Sequence, residues 1–405
     1  MNSEVVELCR RMVAQASVNP QDTDCVEFPY GESRMAALVA DWLNKAGLEV
    51  QIQQVRVGRE NVLATATGKD TSKTLLLSAH MDTVDVKDMV IEPFDPQVRE
   101  GRIYGRGTCD DKGPLAAMMI AFRDRVRAGN LPCNLALLAS CGEEYDMTGS
   151  RYFAEHWADM PAGGGRLYAA VMAEPTELKA VVAHKGVVRL RISSRGKSAH
   201  SSMPALGKNA IYQMARALTA VEEFGCELAE RPGHPRLKTE TLSATIVKGG
   251  QQINVIPDRC EALIDWRILP GRSPKQCRDE LEAVLTAKLS VGDDPPLTWG
   301  AGKSDEPIKV EIINAYEPME TQADHPIVKS LLSAAEKTIG KSEAIVVGYA
   351  TDASAFSQLN IPTPIIGPGC PMQAHTQDEF IEIKQLEKGL ATYKLFLEGE
   401  WGVGE

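Results

Sequence analysis

The sequence predicts an α/β fold in which a mostly parallel sheet, covered by helices, is interrupted by a smaller inserted domain. Apolar runs of strand length alternate with amphipathic helical stretches near both ends of the 405-residue chain, and such alternation is typical of a parallel sheet. Between residues 180 and 318 the predicted order changes to β-α-β-β-α-β, which fits a ferredoxin-like module. A chain of this length can form two or three domains with separate cores.

The part of the chain before residue 180 supplies most of the predicted sheet. Residues 33–47 place apolar residues at helical spacing and end in Gly47, which suits the C-cap of a helix. The other elements predicted there are strands at 61–66, 74–79, 134–140 and 168–173 and helices at 114–128 and 149–157. Together with the segment after residue 318 they make up the larger predicted domain, residues 1–179 and 319–405.

The inserted domain, residues 180–318, begins with AVVAHKGVVRLRISSRG, which we interpret as one long strand. Its later elements are predicted as a helix at 209–224, strands at 241–250 and 260–269, a helix at 273–289, a loop at 291–307 and a strand at 309–318. The alternating pattern then returns, with a helix at 325–339, strands at 343–348 and 362–366, and a helix at 384–399.

Composition and charge limit the functional classes to which the protein can belong. The chain carries 44 basic and 55 acidic residues, a net charge of −11, which argues against a nucleic-acid partner because such proteins usually present a basic face. It contains nine cysteines but no CxxC pair, which indicates free thiols in a reducing compartment. We find neither a signal peptide nor an apolar run of the ~18 residues needed to span a membrane. We therefore expect a cytoplasmic protein with no membrane partner.

Histidines and carboxylates recur where the predicted strands end. His80 and Asp82 follow the second predicted strand, and Asp110 and Asp111 lie just before a predicted helix. The residues of this kind that follow later strands are Glu143, Glu144, Glu174, His375, Asp378 and Glu379. Because the active-site loops of a parallel sheet lie at the carboxyl ends of its strands, we expect these side chains at one edge of the sheet.

These residue types favour a catalytic metal site. Imidazole and carboxylate groups bind zinc, and also manganese or cobalt. Two histidines with three carboxylates could hold two ions ~3.5–4 Å apart if one carboxylate bridges them. Asp82, two positions after His80, is placed to accept the N–H of the other ring nitrogen. Of the adjacent Glu143 and Glu144, one could bind metal while the other serves as general base.

Each of these residues also has a structural alternative. Asp110 and Asp111 could cap the following helix, Glu143 and Glu144 could be solvated loop charges, and a lone histidine is more often a hydrogen-bonded side chain than a ligand. Their occurrence together at one predicted sheet edge makes the metal site the better interpretation. We find no dinucleotide fingerprint, phosphate-binding loop or GxSxG elbow. Cys109 lacks an evident histidine partner, so we interpret it as a buried thiol.

The sequence around these residues resembles the co-catalytic zinc amidohydrolase and peptidase family that includes acetylornithine deacetylase, succinyl-diaminopimelate desuccinylase, aminoacylase and carboxypeptidase G. The resemblance covers essentially the whole chain. It depends on the stretches SAHMDTV, GRGTCDDKG, CGEE, AEPT, RGKSAHSSMPALGKNAI, GGQQINVIPDRC, DWRILPG and GPGCPMQAHTQDE. The fold that it implies is a zinc-peptidase catalytic domain whose inserted domain serves as a lid and as the contact of a homodimer.

The resemblance also implies the ligands of two metal ions. His80 and Glu174 would bind one zinc ion, and Glu144 and His375 would bind the second. Asp110 would bridge the two ions. Cobalt or manganese could take the place of zinc in such a centre.

Other matching residues would act on the substrate. Glu143 would be the general base and then the proton donor to the leaving amine, and Asp82 would orient the first histidine ligand. His200, in the inserted domain, would stabilise the tetrahedral intermediate, and in dimeric relatives it reaches the site of the partner subunit. Asn254 and Arg267 would contact the substrate, with the planar guanidinium of Arg267 suited to a carboxylate.

The resemblance predicts an amide hydrolase. The last motif, GPGCPMQAHTQDEF, is most similar to that of acetylornithine deacetylases, so we expect removal of an acyl group from an N-acyl amino acid. The alternatives within the family are a succinyl-diaminopimelate desuccinylase and a carboxypeptidase G-like enzyme or dipeptidase acting on short peptides. A non-catalytic binding protein on the same scaffold would show a lost ligand or a replaced Glu143, and neither is found. One departure is Asp111, which stands where the family often has methionine.

Overall fold

The computed structural model describes residues 3–21, 23, 25–159, 165–290, 308–399 and 401, and the structural statements that follow concern these residues. The predicted loop at 291–307 lies outside them. The chain divides into two units, which are described separately. Unit 1 comprises Met1–Ala183, Glu320–Val346 and Thr351–Glu405, and unit 2 comprises His184–Met319 and Val347–Ala350.

Unit 1 contains the main sheet. The elements up to residue 184 are, in chain order, α1 (Glu4–Val13), α2 (Ser33–Lys45), β1 (Glu49–Arg56), β2 (Arg59–Ala66), β3 (Asp70–His80), β4 (Gln97–Arg99), β5 (Arg102–Tyr104), α3 (Lys112–Ala128), β6 (Cys133–Ser140), α4 (Thr148–His156), β7 (Arg166–Met172) and β8 (Ala180–His184). The main sheet has the order β1-β2-β6-β3-β7. β3 runs parallel to β6 and β7, while the β1–β2 hairpin joins β6 by an antiparallel pairing.

Unit 2 contains a four-stranded antiparallel sheet. Its elements are β9 (Gly186–Arg195), β10 (Ala199–His200), α5 (Ala210–Glu230), β11 (Thr241–Gly249), β12 (Val255–Ile256), β13 (Arg259–Ile268), α6 (Pro274–Ser290) and β14 (Lys309–Tyr316). The sheet has the order β11-β13-β9-β14, and β10 and β12 form a separate ladder. Buried residues alternate with more exposed ones along β13, because α5 and α6 pack against the sheet. This is the β-α-β-β-α-β order of a ferredoxin-like module.

The last part of the chain completes the fold. Its elements are β15 (Met319–Glu320), α7 (Pro326–Ile339), β16 (Ala344–Val347), α8 (Ala353–Ser357), β17 (Phe380–Glu382) and α9 (Ile383–Glu398). β17 joins β5 and β4 in a small antiparallel sheet. Among the described residues, no helix combines the length and the apolar character needed to cross a membrane.

The core of unit 1 lies between the main sheet and the helices that cover it. β6, with the sequence CNLALLAS, is buried along its whole length, as expected for a strand with both faces covered. The first eleven residues of α3, Lys112–Phe122, are also buried, because this helix packs against β3 and β6 and also contacts α1 and α9. The predicted α/β fold with an inserted antiparallel module is therefore confirmed.

The long strand predicted at 180–196 is in fact two strands. β8 and β9 are separated by Lys185 and pair in different sheets, β15-β8-β16 and β11-β13-β9-β14. Gly186 opens β9 where backbone atoms of Tyr316 and Pro318 would lie 2.6 Å from an added Cβ atom. The continuous apolar pattern of this segment does not reveal that the chain passes from one sheet to another.

The strand predicted at 362–366 is wrong. In this segment only Ile365 forms isolated bridges, to Met172 and Val181. The carbonyl groups of Pro362 and Pro364 accept hydrogen bonds from β7, but proline has no N–H to donate to a ladder. The segment therefore lies beside β7 without becoming a regular strand.

Candidate metal centre

The parallel register of the main sheet brings three strand exits together. His80, the last residue of β3, stands opposite Ser140, the last residue of β6. β7 also ends beside β3. The segments that follow β6 and β7, which carry Glu143, Glu144 and Glu174, therefore leave the sheet close to His80.

Asp110 lies between the two predicted histidine ligands. Its Oδ1 is 3.0 Å from Nε2 of His80, and its Oδ2 is 3.3 Å from Nε2 of His375. The same nitrogen of His375 is 3.0 Å from Oε2 of Glu144. One carboxylate thus faces two imidazoles through its two oxygens, as a ligand that bridges two ions would.

Two sets of three potential ligand atoms lie close together. One set comes from His80, Glu143 and Glu174, and the other from His80, Asp110 and Glu144. Within each set all the atoms lie within 4.8 Å of one another. The five predicted metal ligands and the predicted base are therefore brought to one place, although they come from distant parts of the sequence.

The cluster contains more carboxylates than positively charged groups to pair with them. Burial raises the pKa of Glu143 and Glu174 well above the usual range and raises the pKa of Glu144 to about 7. Hydrogen bonds to Asp110 and Glu144 raise the pKa of His375 to about 10. These groups therefore hold protons tightly, and a bound cation would compete with those protons for the same nitrogen and oxygen atoms.

The donor atoms fit divalent cations. Imidazole nitrogens and carboxylate oxygens are ligands of catalytic zinc, and they also suit manganese and cobalt. Oε1 of Glu144 is buried and has no hydrogen-bond partner among the described residues. A buried carboxylate oxygen without a partner is unfavourable, so a cation bound there would satisfy an atom that the protein leaves unpaired.

Asp82 contacts both the first histidine and the two glutamates. Nδ1 of His80 lies 3.0 Å from the carbonyl oxygen of Asp82 and 3.5 Å from its Oδ1. The carboxylate also accepts the backbone N–H of Glu143 at 3.0 Å and that of Glu144 at 3.1 Å. The side chain of Asn19 donates to the same carboxylate at 2.7 Å. Asp82 therefore fixes the backbone that carries the glutamates as well as the ring of His80.

Three further buried residues hold the loop after β6. Glu32 accepts the N–H of Gly142 at 3.0 Å and forms a buried ion pair with Arg59 at 2.8 Å. Asn61 accepts the N–H of Cys141 at 3.1 Å. These residues and Asn19 were not predicted from the sequence, because they lie far from the loop along the chain and belong to no motif that marks a contact with it.

Asp111 does not join the ligand sets. It is fully buried at the N-cap of α3, where its side chain makes no capping hydrogen bond. The structural alternative in which Asp110 and Asp111 serve only as a helix cap is therefore not supported. Burial raises the pKa of Asp111 well above the usual range of an aspartate, which favours a neutral carboxyl group next to Asp110.

The predicted residues of unit 2 fall in two places. His200 is exposed, with Nδ1 2.7 Å from the hydroxyl of Ser202. The pairing of β10 with β12 brings Asn254 next to it, since the carbonyl of Asn254 accepts the N–H of Ser201 at 3.0 Å. Arg267 lies near the far end of β13, roughly 26 Å along the strand from its first residue. The structure therefore groups His200 with Asn254 and leaves Arg267 apart from them.

Arg267 is held by a neighbour on its own strand. Its Nε donates to Oδ1 of Asp265 at 2.7 Å. Nη2 also lies 3.4 Å from Oδ2 of Asp265, and the side chain as a whole is about one-third exposed. The fixed guanidinium suits recognition of a planar anionic group.

The fold and the site together define a metal-dependent hydrolase. Residues 76–399 match the family described as Peptidase family M20/M25/M40. Acetylornithine deacetylase of Proteus mirabilis (strain HI4320) is 33% identical over 391 residues, which cover 94% of this chain and 93% of that protein. The chain therefore belongs to the M20/M25/M40 peptidase family, and the predicted family resemblance and enzyme class are confirmed.

Solved structures share the fold of the whole chain. An M20 family metallo-carboxypeptidase from Sulfolobus solfataricus superposes with a TM-score of 0.74 at 19% identity, covering 98% of this chain and 99% of that one. A dinuclear metal-binding peptidase of the M20 family from Bacillus subtilis gives a TM-score of 0.69 at 14% identity, covering 97% of each chain. At these identities the similarity defines the fold and not the substrate.

The contacts of Asp82 predict the effect of its replacement. Asp82→Asn should weaken metal binding about 10- to 100-fold, because one accepting oxygen becomes an amide group that faces an N–H donor. Metal affinity should be measured by titration of the metal-free protein, with circular dichroism to check the fold. Asp85→Asn, three residues later on a more exposed side chain, is the matched control and should behave as the unmodified protein. An unchanged affinity in folded Asp82→Asn would contradict this role.

Proposed function

We propose that the protein hydrolyses the amide bond of an N-acyl amino acid at a centre of two divalent cations. The position of Asp110, with one oxygen 3.0 Å from His80 and the other 3.3 Å from His375, carries this proposal. In the proposed centre His80 and Glu174 would hold one ion, Glu144 and His375 would hold the other, and Asp110 would bridge them. Zinc is the proposed metal, and cobalt and manganese suit the same donors.

The proposed mechanism assigns the proton transfers to Glu143. The bound ions would polarise the amide carbonyl and make an attacking water more acidic. Glu143 takes the proton of that water as it attacks, and then gives the proton to the departing nitrogen. Burial raises the pKa of Glu143, whereas two nearby cations would lower it, so the carboxylate could take the first proton and release it to the departing nitrogen. The products are a carboxylate and an amine.

The developing oxyanion requires a hydrogen-bond donor, and we assign that role to His200. The residue is exposed in unit 2, and Asn254 lies beside it, so both could contact the same substrate molecule. A donor aimed at the oxyanion stabilises the transition state more than the ground state. In a dimer this pair would serve the site of the partner subunit.

The proposed substrate is an N-acyl amino acid, with acetylornithine as the leading candidate. The proposal is supported by 33% identity with an acetylornithine deacetylase over nearly the full length of both chains. Desuccinylation of succinyl-diaminopimelate and cleavage of short peptides use the same chemistry and are the alternatives. Rates measured for a panel of N-acetyl amino acids, N-succinyl amino acids and dipeptides separate these substrates.

We also propose that unit 2 serves as a lid and forms a homodimer along β11. This strand is at the edge of its sheet, and Ile246 and Val247 on it are 46% and 58% exposed. Tyr212, near the start of the adjacent α5, is 51% exposed. An apolar edge strand with unpaired backbone groups readily pairs with another strand. The occupant we propose is the same strand of a second copy.

A cytoplasmic location remains our proposal for the compartment. All nine cysteines are free, and most of them are buried. Free thiols in this number are typical of proteins that work in a reducing compartment.

Replacement of Glu143 tests the proposed base. Glu143→Gln should lower kcat about 100- to 10,000-fold while the two bound metal ions are retained, because Glu143 acts on protons in the mechanism. Glu144→Gln, at the adjacent position, should instead reduce the metal content. Steady-state kinetics and elemental analysis of both variants give the comparison. Near-full activity of Glu143→Gln would overturn the assignment.

We also propose that Arg267 binds the substrate carboxylate in a dimer in which His200 and Asn254 come from the partner subunit, since Arg267 lies apart from them in its own chain. Replacement of Arg267 tests this contact. Arg267→Ala should raise KM about 10- to 100-fold for substrates that carry the carboxylate, since a hydrogen bond to a charged group contributes ~1.5–3 kcal/mol. Substrate analogues with an amide in place of the carboxylate should show a smaller change. Arg189→Ala is the control, because Arg189 pairs more weakly, at 3.8 Å, with the same Asp265. Equal KM values for Arg267→Ala and the unmodified enzyme would refute this contact.

A charge placed on β11 tests the proposed dimer. Val247→Lys should reduce the mass in solution from twice the 44.0 kDa of one chain to that of a single chain, because each copy would bring a buried positive charge to the interface between the paired strands. Light scattering after size-exclusion chromatography measures this mass. The control is Ile312→Lys on β14, at the opposite edge of the same sheet and 40% exposed. A dimer that tolerates Val247→Lys and is lost in Ile312→Lys would use the other edge.

A further inference from the structure

Glu379 is a buried carboxylate that the proposed mechanism does not use. It directly precedes β17 and is fully buried. Its position is four residues after His375, one of the proposed metal ligands. Burial of a carboxylate is costly unless hydrogen bonds satisfy its oxygens, so the groups that face Glu379 show what it holds in place.

Both carboxylate oxygens of Glu379 bind one short loop. Oε1 accepts the backbone N–H of Cys109 at 2.8 Å and that of Asp110 at 3.1 Å. Oε2 accepts the backbone N–H of Gly107 at 3.0 Å and a guanidinium N–H of Arg106 at 2.8 Å. Four donors from four nearby residues therefore converge on one side chain.

The main chain of Glu379 adds a fifth contact to the same loop. Its carbonyl oxygen accepts the N–H of Gly105 at 3.0 Å. Gly107 has a φ of +85°, and an added Cβ atom there would lie 2.9 Å from the side chains of Lys112 and Thr83. The loop therefore adopts a tight conformation that favours glycine, and its backbone N–H groups are directed at Glu379.

This loop carries Asp110, whose oxygens face His80 and His375. The loop has no regular secondary structure to fix the aspartate, since β5 ends at Tyr104 and α3 begins at Lys112. Glu379 connects it to the segment that bears His375. Ions ~3.5–4 Å apart share a bridging carboxylate only if that carboxylate is placed accurately, within about 0.5 Å.

We propose that Glu379 is a positioning residue that holds Asp110 at the distance from His375 required to bind two metal ions as a pair. This inference rests on the metal centre proposed above. Glu379 would act through the backbone N–H groups of Gly107, Cys109 and Asp110, and not by touching substrate or metal. Replacement of Glu379 should therefore weaken the binding of the second ion, the one held by Glu144 and His375, and disrupt the bridge between the ions. Binding of the first ion, held by His80 and Glu174, should change less.

The test is a titration of the metal-free protein with cobalt chloride. Visible absorption counts the ions bound, and electron paramagnetic resonance detects magnetic coupling between two ions that share a bridge. The unmodified protein should bind two cobalt ions and show coupling. Glu379→Gln should bind the second ion about 10- to 100-fold more weakly and lose the coupling, because its amide turns an N–H group toward N–H donors.

Two further variants complete the design. Glu382→Gln makes the same chemical change three residues later on an exposed side chain, and it should behave as the unmodified protein. Glu379→Asp keeps the charge, but the shorter side chain cannot reach both pairs of donors. This variant should therefore also lower the affinity for the second ion. If circular dichroism shows that Glu379→Gln does not fold, cobalt binding by Glu379→Asp is compared with that of the unmodified protein instead.

The outcomes separate the two proposals. If the unmodified protein binds no pair of cobalt ions, the proposed metal centre is wrong. If the unmodified protein binds a coupled pair and a folded Glu379 variant binds it with the same affinity and coupling, Glu379 is not a positioning residue. A lower Tm with an unchanged cobalt pair would identify a purely structural role and would also overturn the inference.

Discussion

The buried carboxylates at the end of the main sheet are the constraint on which the rest of the structure depends. Asp110, Glu143, Glu144 and Glu174 converge where β3, β6 and β7 end. Removing a carboxylate from water costs several kcal/mol unless a partner charge offsets it. The raised pKa values of the three glutamates express that cost. A pair of divalent cations would offset this cost of burial. The carboxylate oxygens that would bind the metal ions are therefore the same atoms that are unfavourable to bury without them.

The protein holds this cluster through backbone N–H groups rather than through the reactive side chains alone. Asp82 accepts the N–H groups of Glu143 and Glu144, and Glu32 accepts that of Gly142. Glu379 binds the loop that carries Asp110 in the same way. Each of these supporting carboxylates is itself buried. Fixing the main chain of a loop leaves its side chains free to bind metal or to transfer protons.

The part of the site that follows from strand geometry was predictable from sequence. His80, Glu144 and Glu174 could be predicted to meet because parallel strands end at one edge of a sheet. The supporting residues were not predictable, because Glu32 and Gly142 are 110 positions apart and no short motif connects them. The strand predicted at 362–366 was wrong for a local reason instead: Pro362 and Pro364 have no N–H to donate to a ladder, although the apolar residues around them fit a strand pattern. Contacts between distant backbone groups are set by the folded chain and leave no local periodicity in the sequence.

In the proposed centre the carboxylate of Asp110 would bridge two cations, one bound by His80 and the other by His375. Anomalous diffraction from crystals grown with zinc, recorded on both sides of the zinc absorption edge, tests it most directly. We expect two anomalous peaks ~3.5–4 Å apart, one on each side of the Asp110 carboxylate. A single peak, or peaks that lie away from Asp110, would contradict it.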